Sequence, residues 1–155
     1  DKLNDLESAR IIISHVTEGL KLAEQYNLPR EIKEFITTHH GTGLAKYFYI
    51  HYKNEHPDEE VNEDQFRYPG PNPFTREQAI LMMSDTVEAA SRSLQEYTEE
   101  SISELVNRLI DGQVADGNFT DCPITFRDIT AAKNVLIERL KAMYHTRIQY
   151  PQLKV

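Results

Sequence analysis

Apolar positions recur at helical spacing through most of this chain, with no convincing stretch of strand-like alternation. Ile11, Ile12, Val16, Leu20 and Ala23, with Glu18, Lys21 and Glu24 between them, predict an amphipathic helix over residues 8–25. Asn27-Leu28-Pro29 ends it and opens a second helix, because proline is tolerated in a first turn. Ile32, Phe35 and Ile36 give that helix its apolar face, and His39-His40 close it before Gly41. A third helix is expected over 43–54, with Leu44, Tyr47, Phe48 and His51 on a mixed face. His51 and His56 are expected to face solvent.

Residues 55–74 read as a long connection. Pro69, Gly70, Pro71 and Pro73 impose a stiff, non-helical course. Thr75 then caps a helix expected to be heavily buried through Ile80, Leu81, Met83, Val87, Ala90 and Leu94. Thr98 caps another over about 99–113, with Asp111-Gly112 ending it and Gly117-Asn118 marking a turn. Thr125 to Asp128 approximates a capping box before a final helix of about 20 residues, with the tail from Tyr144 leaving it. The fold class is therefore all-α, and the 155 residues suit one domain, 1–155.

Charge narrows the partners. There are 17 basic against 25 acidic residues, for a net charge of −8, which argues against a nucleic-acid polymer. A small anionic ligand in a local basic pocket remains open. The single cysteine, Cys122, cannot form an intrachain disulfide and fits a reducing compartment. No apolar run approaches the roughly 20 residues that span a bilayer, and no secretory signal pattern is present. The first residue is Asp1 rather than methionine, so the chain reads as a piece of something longer.

The candidate chemistry centres on His39-His40. Imidazole is the commonest protein metal ligand and a frequent acid or base near neutral pH. Neighbouring side chains on a helix point about 100° apart, so the pair can share one metal only near a helix end; a plain helix C-terminus is the alternative. His15 shares a face with Ile11 and Gly19, and the glycine should leave open space beside the imidazole; a core or boundary histidine bonded to a backbone carbonyl is the alternative. Asp85 interrupts an apolar helix, where a carboxylate needs a partner: a metal or Arg92. Leu81 and Ala89 suggest that its face is closed to water. Arg67 and Tyr68 either present a cation and a stacking face to a nucleotide or belong to a strap packed on the core. His15, His39, His40 and Asp85 together form a nitrogen and oxygen donor set suited to Zn, Fe, Mn or Co.

Several blocks have a particular pattern. They are Ser8-Ala9-Arg10-Ile11-Ile12 with His15-Val16, Gly19 and Leu28-Pro29, then His39-His40-Gly41-Thr42 and Phe66-Arg67-Tyr68-Pro69-Gly70-Pro71 with Pro73. Asp85-x-Val87-Glu88-Ala89-Ala90-x-Arg92 and Tyr144-His145-x-Arg147 with Tyr150-Pro151 follow. From about residue 8 to 151 the chain resembles the cytoplasmic HD domain of the bacterial seven-transmembrane HD-domain receptors, the cyclic-di-AMP phosphodiesterases. The resemblance implies an HD-type helical bundle without its first helices. It implies His15, His39, His40 and Asp85 as metal ligands, with no catalytic residue apart from them. It also implies two divalent transition metals, Mn or Fe, and hydrolysis of cyclic-di-AMP to the linear dinucleotide. Arg67, Tyr68 and Arg92 are the expected substrate contacts.

The family pattern also has an earlier histidine and an adjacent His-Asp pair whose aspartate bridges the metals. Asp1 to Ser8 contains no histidine, and the chain contains no His-Asp dipeptide. The expectation is a fragment that is itself soluble, holds at most one metal weakly, and is inactive alone. Its parent would be a signalling hydrolase at the bacterial inner membrane, joined to it through absent N-terminal segments. Exposed apolar surface left by the missing helices makes a homodimer an expected partner state. The alternatives are an HD phosphohydrolase for another nucleotide, or a non-catalytic helical sensor.

Overall fold

The computed structural model describes residues 4–147 and 153–154. Among them are six α-helices: α1 Asp5–Gln25, α2 Arg30–Thr38, α3 Lys46–Glu55, α4 Arg76–Ser91, α5 Glu99–Ala115 and α6 Phe126–Arg147. A single 3₁₀ turn covers Glu63–Phe66, and the described residues contain no strand beyond an isolated bridge between Leu44 and Arg67. The all-α expectation holds. The chain divides into two compact units, Asp1–Pro73 and Phe74–Val155. No helix among the described residues is long and apolar enough to cross a membrane.

In the first unit, α1 packs against α2, α3 and the 3₁₀ turn. Its buried face is Ala9, Val16 and Ala23, spaced by sevens. Val16 and Ala23 are buried as the expected stripe has them, and the difference lies at Ile11 and Ile12, which are 58% and 43% exposed. The small alanines let α2 and α3 approach closely, and that approach decides which face is covered. Asn4 caps α1 through Glu7 N–H. The helix ends in a Schellman turn: Asn27, at φ 52°, donates to Glu24 O, and Leu28 donates to Ala23 O. Gly19 does not leave space beside His15. A Cβ there would lie 3.3 Å from Ile36 Cγ2, so the glycine serves α1–α2 packing.

In the second unit, α4, α5 and α6 enclose a core of Met83, Val87, Ile102, Val106, Ile110 and Leu140, with Tyr144 at one end. Thr75 and Gln78 form a capping box on α4, as do Thr98 and Ser101 on α5. The buried face of α4 runs through Ala79, Met82, Met83 and Val87. Ile80 and Leu81, expected inside, are 43% and 40% exposed. Helix α5 continues past Gly112 to Ala115, because Gln113 is buried and donates to Thr86 Oγ1 at 3.0 Å. The stop signal is the next glycine: Gly117, at φ 79°, donates to Val114 O while Asn118 donates to Gln113 O. Thr125 and Asp128 exchange reciprocal backbone-to-side-chain bonds of 3.0 Å at the start of α6. That helix carries Tyr144 and His145 within it rather than ending before them. Tyr150 and Pro151 of the expected tail lie outside the described residues.

Candidate metal centre

The chain after α2 turns sharply. His39 caps the helix, and Gly41 donates to Thr38 O from a left-handed conformation, φ 52°. Gly43 N–H then reaches back to His40 O at 2.9 Å, so close that a Cβ on Gly43 would sit 2.8 Å from that oxygen. These two turns carry His39 and His40 off the helix end together. His15 meets them from α1. The ligand atoms of His15, His39 and His40 all lie within 4.8 Å of one another. Ring centroids are 5.2 Å apart for His15 and His39, 5.0 Å for His15 and His40, and 4.2 Å for His39 and His40.

Two of the rings are oriented by their own helices. His15 Nδ1 bonds Ile12 O, and His39 Nδ1 bonds Ile36 O at 2.6 Å. A carbonyl oxygen only accepts, so each Nδ1 carries the hydrogen and each Nε2 presents a lone pair. Those two Nε2 atoms lie 3.1 Å apart. Two lone pairs at that distance repel unless a proton or a cation lies between them. Ligand nitrogens on one ion at about 2.0–2.1 Å would be roughly 2.9 Å apart at a right angle and 3.4 Å at the tetrahedral angle, so the observed spacing fits a shared ion. His40 is pushed down to about 4, chiefly by burial and then by its two histidine neighbours. It is therefore neutral near pH 7, the form that ligates. Three converging imidazoles suit a divalent transition ion.

The segment after the 3₁₀ turn closes over this corner of the unit. Tyr68 is buried, with its ring stacked on His40 at a centroid distance of 4.3 Å and an angle of 15°. Phe66 is fully buried. Arg67 donates to Thr42 O at 3.1 Å and pairs with Glu63 at 2.8 Å, which holds the Glu63 carboxyl below its ordinary range. The packed-strap alternative thus describes Phe66 and Tyr68, and Arg67 keeps a part-exposed guanidinium. The backbone-carbonyl bond weighed for His15 is present, to Ile12 O; sequence spacing gave no sign of the Ile36 carbonyl at His39 or of the contact between Tyr68 and His40.

Asp85 belongs to the second unit, on α4, and is partly exposed. Its helix face is open rather than closed, since Leu81 and Ala89 are exposed. Arg92 is held by Glu88 through two bonds of 3.0 and 2.6 Å. His51, expected in solvent, is exposed but accepts a defined role. Its Nδ1 lies 2.6 Å from Asp5 Oδ2, joining α3 to α1, and that carboxylate raises its affinity for a proton. His56 is part-buried and stacks on Tyr52 at 4.1 Å instead of facing solvent.

No family model matches the chain. A curated cyclic-di-AMP phosphodiesterase PgpH of Bacillus subtilis (strain 168) is 40% identical over 152 residues, 98% of this chain and 21% of that protein. The protein of the same name from Listeria monocytogenes serotype 1/2a (strain 10403S) is 42% identical over 154 residues, 99% of this chain and 21% of its own length. The chain thus spans about a fifth of the curated relatives it matches. The crystal structure of the L. monocytogenes PgpH HD domain in complex with cyclic-di-AMP matches with a TM-score of 0.87 at 40% identity, covering 92% of this chain and 65% of that one. Shared sequence along nearly the whole length, on a shared helical fold, shows that the chain belongs to the family of PgpH-like HD domains.

Proposed function

We propose that the chain is the histidine-bearing part of a metal-dependent phosphodiesterase domain whose substrate is cyclic-di-AMP, opened to the linear dinucleotide. The observation that carries this reading is the pair of Nε2 lone pairs on His15 and His39, 3.1 Å apart, with His40 alongside. The substrate class rests on the relatives, one of whose structures is a complex with cyclic-di-AMP.

His15, His39 and His40 would hold one divalent ion, manganese or iron by the resemblance. Such an ion supplies Lewis acidity toward a phosphodiester oxygen and lowers the pKa of water. The Ile12 and Ile36 carbonyls keep the hydrogens of His15 and His39 on Nδ1. Burial keeps His40 unprotonated. Arg67 stands at the Thr42 turn, where its guanidinium is the proposed contact for a phosphate oxygen, shared with Glu63. Arg92 would have to share its guanidinium with Glu88 in the same way. Asp85 is retained, on the resemblance alone, as the carboxylate of a second metal position. Attachment to a membrane and a homodimeric state are likewise proposed for the parent protein.

The test is manganese-dependent hydrolysis of cyclic-di-AMP, with cyclic-di-GMP as control. It would use the chain alone and the chain extended by the upstream His-Asp segment that the resemblance implies. Turnover of cyclic-di-AMP by the extended form, abolished by His40→Ala and by Asp85→Asn, is the expected result. A folded, metal-loaded extended form that hydrolyses neither dinucleotide overturns the proposal.

A further inference from the structure

Phe66, Arg67, Tyr68 and Asn72 fasten their segment to the turn that carries His40. Ala45 N–H donates to Phe66 O at 2.7 Å, and Tyr68 N–H donates to Gly43 O at 2.9 Å. Arg67 Nη1 donates to Thr42 O at 3.1 Å. Asn72 Oδ1 accepts from both Thr42 N–H and Thr42 Oγ1, at 2.9 and 3.1 Å. These bonds fix the Tyr68 backbone relative to the turn between His40 and Ala45. Its ring then touches two of the three imidazoles, lying parallel to His40 at 4.3 Å and edge-on to His15 at 5.9 Å. With 9% of its surface exposed, Tyr68 has its face committed to His40 instead of being offered to a base.

We infer that Tyr68 is a positioning residue of the metal centre, whose ring sets the plane of the His40 imidazole and so the direction in which that ring presents its ligand nitrogen. His40 lies beyond the last residue of α2, on a turn, where helix geometry no longer dictates the side chain's direction. A ring stacked parallel at 4.3 Å blocks rotation of the imidazole about its Cβ–Cγ bond, because turning it would drive its edge into the Tyr68 face. Groups that orient a metal ligand without touching the metal typically change affinity by about 10–100-fold when removed. The inference rests on the metal-centre reading above and assigns to packing what that reading leaves to the ligands.

The experiment is a titration of the chain with cobalt(II), following the visible d–d bands, alongside thermal unfolding without metal. The variants are Tyr68→Phe, Tyr68→Leu and, should the leucine variant not fold, Tyr68→Met. Tyr68→Phe keeps the ring and is expected to bind within about twofold of the parent with the same spectrum. Tyr68→Leu is expected to bind about tenfold or more weakly and with altered bands, measured below its own melting temperature. A ring that only fills the core would lower the melting temperature of Tyr68→Leu and leave affinity and spectrum unchanged, which overturns the inference while the metal centre stands. Loss of binding in Tyr68→Phe would assign the role to the hydroxyl and overturn the stacking account. A parent chain that takes up no cobalt would overturn the metal-centre reading itself, and the inference with it.

Discussion

The Nε2 atoms of His15 and His39 lie 3.1 Å apart while both rings have their Nδ1–H committed to carbonyls on their own helices. Without a cation or a shared proton this contact is repulsive. Truncating either ring should therefore have opposite effects with and without metal. We predict that His39→Ala leaves the metal-free melting temperature unchanged or raised, and abolishes the upward shift that manganese or cobalt produces in the parent. A His39→Ala chain that keeps the metal-induced shift would remove His39 from the ligand set.

His40 is held down to about 4 by burial, against about 6.5 for a free imidazole. The unfolded chain takes up this proton at higher pH than the folded one, so the neutral ring's contribution is complete above about pH 6.5. It is lost progressively as the pH falls toward 4. The expected loss is on the order of 2 kcal/mol once partial solvent access is allowed for. Urea unfolding of the metal-free chain between pH 7 and 4 should show it, and His40→Asn should flatten that part of the profile.

Gly43 has no room for a side chain. An alanine Cβ would lie 2.8 Å from the His40 carbonyl oxygen, a backbone atom that cannot swing away. Gly43→Ala is expected to cost about 1–3 kcal/mol and to weaken metal binding, because the displaced atom belongs to a ligand residue. Denaturant unfolding and a cobalt titration of the same preparation would check both; normal values in both would refute the close approach.

Helix α6 begins on the reciprocal bonds of Thr125 and Asp128. Thr125→Ala removes the acceptor for Asp128 N–H and is expected to cost about 1 kcal/mol, a fall of about 2–4 °C in melting temperature for a chain of this size. The Thr125 N–H and hydroxyl hold the Asp128 carboxyl below the ordinary carboxylate range. Its contribution to the cap is thus present at neutral pH and disappears only in more acid solution, below the ordinary range. Far-ultraviolet dichroism during thermal and acid unfolding would read both effects.

Legibility in the sequence followed local chemistry. Gly41 after two histidines announced the end of α2 because only a left-handed residue makes that turn, and Thr75, Thr98 and Thr125 announced helix starts by the bonds they make. What depends on neighbours was less legible. Val16 and Ala23 were legible in the core stripe, yet α2 and α3 settle on them with Ala9 and leave Ile11 and Ile12 largely exposed. Gly112 looked like a stop, but the buried Gln113 found Thr86 across the core and carried α5 onward. At the site, the family resemblance supplied His15, since no spacing rule brings it to the His39-His40 turn. A backbone carbonyl was a legible partner for His15, but not which one, and the Ile36 carbonyl at His39 was not legible, because every residue has one. Tyr68 was noticed for its ring, but burial against His40 gave that ring an inward-facing setting.

All three imidazoles come from within Asp1–Pro73, no two of them more than 25 positions apart. Contacts so close in sequence close quickly during folding, ahead of those that join distant segments. A nascent chain would therefore complete this donor set before α4 to α6 have been synthesised. Free metal in the cell would meet its ligands while the protein is still being made. The free energy of binding would then act first on the order of α1 and α2, making an ion held there a participant in maturation.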